Sequence, residues 1–175
     1  YKNGFLKIPI IEYWLKELVL VIQSKFPHFK PIPRQFKFLN TIDIDNAYCY
    51  LEKGFLRTVG AICRSLIQFN FELIPIRIRV LLGKEKDPYD TFDYLLGLQK
   101  KHDFESIYFF LLADYGHNDK NITYTSKKFQ TLVKTMADYV KVGIHPSWAS
   151  NSDVRKLSKE INRLEEIVNR EVIRS

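Results

Sequence analysis

Residues 106–113, Ser-Ile-Tyr-Phe-Phe-Leu-Leu-Ala, form an unbroken apolar run without glycine or proline, and a carboxylate, Asp114, follows at once. A strand of that composition has no polar face to give to water. It is therefore expected to be buried on both faces, as strands of parallel sheets are. Parallel strands need crossover connections, and helices usually provide them. The neighbouring segments supply these. A second strand is expected from Phe36 through Asp45, bounded upstream by Pro31 and Pro33, and a third over Val140–Ile144 that delivers His145. Three-four apolar spacing predicts helices over 8–26, 54–69 and 126–139, and a last one from Ser152-Asp153 onward. Asp87-Pro88 reads as an N-cap and first helical residue, opening a helix to about His102. Residues 73–82 read as a weak edge strand or loop, because Pro75, Arg77 and Arg79 interrupt an otherwise apolar run. The order implies an α/β fold of parallel β/α units.

The chain has 175 residues, enough for one ordinary domain, and its 46% hydrophobic and 14% aromatic content excludes global disorder. Residues 1–34 are expected to be an N-terminal helix with a Pro-rich linker, and 35–175 the β/α domain. The helix belongs either to a preceding domain or beneath the fold. A net charge of +7 and a pI near 9.3 suit anionic partners. The cations, however, are scattered singly apart from Lys100-Lys101 and Lys127-Lys128, the pattern of a solvated surface, so nucleic acid is not the favoured partner. Cys49 and Cys63 sit in apolar surroundings and read as buried thiols. Charges such as Lys16, Glu17, Arg57 and Arg64 break the longest apolar stretches, so no membrane span is expected. The chain starts at Tyr1 without Met or a visible signal peptide, and its last helix shows no stop signal. An excised piece of a longer protein is the expectation, from the cytoplasm or the cell envelope, with a domain that continues past Ser175 and an open sheet edge through which it self-associates or packs against its own remaining chain.

Function in α/β folds collects at the carboxyl ends of the strands. Here those ends carry Asp43 and Asp45, then Asp114, then His145. Asp43 and Asp45 lie two apart, on one face if the strand continues through both. Two such charges on an apolar strand indicate a metal site or an acid/base pair, unless they are simply a surface strand end where Asp-Asn opens a turn. Carboxylates with an imidazole suit a divalent metal, zinc above all. His117 reads as a surface loop residue, and His28 and His102 as a linker and a helix end. Tyr48, Tyr50, Tyr115 and Trp148 follow the strand ends and offer flat rings to sugar faces.

Thr41-Ile42-Asp43-Ile44-Asp45, followed about a hundred residues later by Val142-Gly143-Ile144-His145-Pro146-Ser147-Trp148, resembles the polysaccharide deacetylase (NodB-homology) family of carbohydrate esterases, and within it the bacterial TxDxD/GxHPS deacetylase-like subgroup. The resemblance covers about residues 36–175. It implies a partial or distorted (β/α) barrel and metal-dependent removal of acetyl groups from a glycan. In the family's first motif the first Asp is the general base and the second binds metal. Asp43 matches the base. The metal-binding carboxylate falls on Ile44 by strict alignment, or on Asp45 if the strand end is rearranged by one residue. In the second motif His145 matches the first of two His, whereas the position four residues on is Ala149. The usual Asp-His-His set is thus incomplete: either Asp114 or His117 fills the gap, or metal is bound weakly or not at all. The family's later motifs have no counterpart here. Two further readings follow: a non-catalytic glycan-binding relative of that fold, and a basic module for nucleic acid or another anionic polymer.

Overall fold

The structure, a computed structural model, describes residues 4, 7–32 and 35–172 in two units, Tyr1–Lys37 and Phe38–Ser175. Pro33 and Arg34, the end of the expected linker, lie outside the described residues. In the first unit a single helix, α1, spans Ile10–Lys25 and buries none of its residues; Ile11, Trp14 and Leu18 are all exposed. The helix stops where Pro27 cannot continue it, and the Phe26 amide closes the last turn on the Ile22 carbonyl at 2.7 Å.

The second unit holds three parallel strands in the order β1 (Leu39–Ile44), β2 (Glu105–Leu111), β3 (Lys141–His145). This is a mixed α/β fold whose sheet does not close. β1 starts three residues later than expected, because a strand lasts only as long as its neighbour: Leu39 pairs with Glu105, the first residue of β2. Upstream of that row Phe36 is 91% exposed. The odd residues of β1, Leu39, Thr41 and Asp43, face solvent, and among the described residues no strand pairs with its outer side. β2 is the central strand. Ser106, Tyr108 and Phe110 on one face are buried, and Ile107 and Phe109 on the other are half-buried, so the two faces are covered unequally.

Between β1 and β2 run three helices, α2 (Phe55–Ile67), α3 (Leu73–Leu81) and α4 (Phe92–His102). α3 replaces the expected edge strand. Pro75 falls in its first turn, where the missing N–H would have had no helical partner anyway. Ile74, Arg77 and Val80, three apart, then become its inner face. α4 begins at Phe92, five residues after Asp87, with Thr91 at its N-cap. Asp87 is thus no helix cap; its task is described below. α5 (Lys127–Tyr139) is capped by the Ser126 hydroxyl, which accepts the Phe129 N–H at 3.1 Å. α6 (Val154–Val168) follows β3 and is capped by Asp153. It does stop within the chain: Asn169, with φ 55° and ψ 38°, takes the left-handed conformation that ends helices, a signal that asparagine carries less visibly than glycine. The core gathers Ile44, Tyr108, Phe110, Leu112 and Ile144 from the strands and their ends, Phe129, Val133 and Met136 from α5, and Leu164 and Ile167 from α6. Phe110 and Phe129 meet edge to face, ring centres 6.1 Å apart. Cys63 is exposed on α2, not buried; Cys49 is half-buried, and burial raises its thiol pKa. Among the described residues no helix is long and apolar enough to cross a membrane.

Candidate functional site

The strand register assembles the site. Ile44, Phe110 and Ile144 form one row across the three strands, and Leu111 and His145 form the next. Asp45, the residue after Ile44, emerges level with that second row. In parallel strands the carboxyl ends all face one side, so Asp43, Asp45 and His145 project at one rim. His145 Nε2 lies 3.5 Å from Asp45 Oδ1 and 3.9 Å from Asp43 Oδ2. Its other nitrogen, Nδ1, is 3.1 Å from the Pro146 carbonyl oxygen. A carbonyl only accepts, so Nδ1 carries the proton in that bond, and Nε2 is the nitrogen that faces the two carboxylates. Nitrogen and carboxylate oxygens at these distances attract when a proton on Nε2 or a cation stands between them.

The rim borders an open cleft of about 790 Å³, lined by Asp45, Asn46, His117, Asp119, Lys120, His145 and Trp148 among others. Trp148 is 69% exposed and offers an indole face to it. Three buried carboxylates hold the surrounding loops. Asp87 accepts the amides of Cys49, Tyr50 and Leu51 at 2.7, 2.8 and 3.1 Å, fixing the loop after β1. Burial pushes the Asp87 pKa up, but these bonds and a fourth from Tyr89 outweigh it and hold it below the usual carboxylate value. Asp119 accepts from Trp148 and Ala149 at 2.9 and 3.2 Å, at the start of the short 3₁₀ turn Trp148–Ser150. Glu160 on α6 accepts both the amide and the hydroxyl of Ser147, at 3.2 and 2.5 Å. None of the three is recognisable in the sequence as a loop anchor. Asp87-Pro88 imitates a helix cap, and Asp119 and Glu160 sit in stretches that read as polar loop and helix surface.

The remaining candidates are placed elsewhere. Asp114 does not line the cleft; its carboxylate meets Arg163 at 2.5 Å and Lys159 at 3.4 Å, and the Arg163 bond lowers its pKa. Tyr48 is a core residue; desolvation first, then Asp90, Glu52 and Asp87, push its pKa up to about 12. A buried ring has no face to lend a sugar. Tyr115 is exposed outside the cleft, with the Arg57 guanidinium 4.7 Å from its ring centre. Tyr50 is half-buried beneath Arg77, 4.8 Å away. His117 does reach the cleft.

Among the described residues no group of three or more His, Cys, Asp or Glu side chains stands assembled around a metal position. The donor chemistry nonetheless suits an ion in part. Two ligands of one tetrahedral zinc, each roughly 2.0–2.2 Å from it, lie about 3.4 Å apart, close to the 3.5 Å between Asp45 Oδ1 and His145 Nε2. Ala149 brings no donor. Comparisons with protein-family models, curated proteins and solved structures find no significant match to this chain.

Proposed function

We propose that the chain is a metal-dependent carbohydrate deacetylase-like hydrolase that removes acetyl groups from a glycan, and that its three strands are an arc of a distorted (β/α) barrel. The observation that carries this reading is the convergence of Asp43 and Asp45 on His145 Nε2, at 3.9 and 3.5 Å, at the cleft rim. Asp45 and His145 would hold a divalent ion, zinc by donor type, with water completing the set. Such an ion, when bound, polarises a carbonyl and acidifies water. Asp43 is the proton acceptor: it takes a proton from the water whose oxygen adds to the acetyl carbon. That proton passes to the leaving amine or alcohol as its bond to the acetyl carbon breaks, giving acetate. Asp119 fixes the backbone of Trp148, whose ring stacks on the sugar. The unpaired outer side of β1 and the exposed apolar face of α2 are where the chain self-associates in this reading; sedimentation across concentrations tests it, and a monomer throughout counts against it.

The decisive test measures two things on wild type, Asp43→Asn, Asp45→Ala and His145→Ala: bound metal by elemental analysis, and acetate released from a panel of acetylated oligosaccharides. The expected outcome is metal lost in Asp45→Ala and His145→Ala. Asp43→Asn should keep its metal and lose roughly 10²–10⁴-fold in rate. A wild type that takes up no metal at micromolar supply and releases no acetate overturns the proposal.

A further inference from the structure

Among the described residues, three cations without an ion-pair partner stand at or beside one wall of the cleft: Lys120 lines it, and Lys53 and Arg57 stand behind it and hydrogen-bond to residues that do. Lys53 Nζ donates to Asn46 Oδ1 at 2.5 Å, and Asn46 is the cleft residue that follows Asp45. Arg57, one helical turn further on, donates to the carbonyls of Lys120 and Asn121, at 3.1 and 3.3 Å. Both of those residues line the cleft, and the Lys120 side chain is exposed there. Among the described residues no carboxylate forms an ion pair with Lys53, Arg57 or Lys120.

The nearby carboxylates are already engaged. Asp87 is held by four backbone amides, Asp119 by two, and Glu52 accepts the Ser126 hydroxyl at 2.7 Å. Asp43 and Asp45 face His145. Lys53 itself is set by an unusual stretch of backbone. Glu52 has φ 58°, and Gly54 has φ 78° with ψ 162°, a conformation open essentially to glycine alone. Burial first and then the neighbouring Arg57 lower the pKa of Lys53, against smaller opposing effects of Cys49 and Asp87. Two half-buried like charges with no carboxylate at ion-pair distance are stabilised when an anion joins them.

We infer that this wall is an anion subsite, and that the glycan taken by the cleft carries a fixed anionic group, a carboxylate or a phosphate, which binds Lys53 and Lys120 beside the acetylated sugar. Arg57 frames the wall through the two carbonyls. The inference rests on reading the cleft as a glycan site, so its test reads binding without chemistry. Calorimetric titrations use acetyl-free trigalacturonate, glucose 6-phosphate and neutral maltotriose against wild type, Lys53→Gln and Lys120→Gln. The expected result is that trigalacturonate, glucose 6-phosphate or both bind more tightly than maltotriose. That binding should weaken with added salt and fall about tenfold in Lys53→Gln, for the loss of a charge-assisted bond. The ligand that binds identifies the anion as carboxylate or phosphate. Lys120→Gln changes an exposed side chain and keeps the fold, so it gives a second reading if Lys53→Gln is unstable. Anion binding without any acetate release would keep this inference while removing the hydrolase reading. Equal affinity for maltotriose, no effect of either substitution, or tighter binding of single-stranded DNA that displaces both anions would overturn it.

Discussion

In the chain's second unit the helices α2 and α5 both carry a clear apolar stripe, and they meet different fates. α5 buries Phe129, Val133, Met136 and Ala137, and α6 buries Leu164 and Ile167 together with Glu160 and Arg163. α2 buries only Ser65 and α3 only Val80; Phe55, Leu56 and Ile67 are exposed. Periodicity states which face of a helix wants cover, not whether the same chain supplies it. The covered side is where folding free energy is stored, and the uncovered side is surface available to a partner. Leu164→Ala breaks or upholds this contrast most directly. Leu164 is fully buried, so its truncation should cost about 2–5 kcal/mol in urea unfolding, whereas Phe55→Ala, at 80% exposure, should stay within about 0.5 kcal/mol. Equal costs would mean that α2 is covered in solution.

The second contrast lies between the loops and the helices that frame them. The loop after β1 is held by one carboxylate, and Asp87→Ala strands the three amides of residues 49–51 at once. A loss of roughly 2–3 kcal/mol is expected, since unmet buried donors keep their desolvation cost. Asp87→Asn, which keeps one accepting oxygen, should lose less. The pH dependence has a definite sign. The folded pKa of Asp87 lies below its unfolded value, so its contribution is complete above the unfolded pKa, near 4, and is lost as pH falls through the folded value. Wild type and Asp87→Asn should therefore converge in stability in acid. Divergence there would show that Asp87 is not the anchor.

Much of this architecture is readable in residues and some is not, for physical reasons. The run 106–113 announces a central strand because nothing in it tolerates water. Ser126 and Asp153 announce helix starts because capping is local chemistry. Asp43, Asp45 and His145 stand at strand ends in the sequence, and the structure sets them within 4 Å of one another's side chains through His145. Long-range polar pairing is what stays hidden. Asp87 is 36 to 38 residues from the amides it binds, and Asp119 is 29 residues from Trp148. No periodicity records such a distance. For α3, an apolar run rich in isoleucine suggested a strand that Pro75, Arg77 and Arg79 demoted to a weak edge strand or loop, and tertiary context overrode that weak propensity.

The smallest effect belongs to Asp114, and it separates the rim from its surroundings. Arg163 is buried, donates to the Leu112 carbonyl at 2.8 Å and lies 3.8 Å from the Tyr124 ring centre, so it is fixed without help from Asp114. The Asp114 side chain is 69% exposed, and water screens its pair with Arg163. Asp114→Asn should cost no more than about 1 kcal/mol. Because the Arg163 bond depresses the folded pKa, that difference should be present above about pH 4 and vanish as pH falls through the lower folded value. The same variant should keep the metal content of wild type, since the carboxylate is spent on Arg163 and Lys159 and stands outside the cleft. A variant that lost metal would move Asp114 into the ligand set and place the gap left by Ala149 on the end of β2. Metal retained there, and lost in Asp45→Ala and His145→Ala, would confine the ion to the two outer strands.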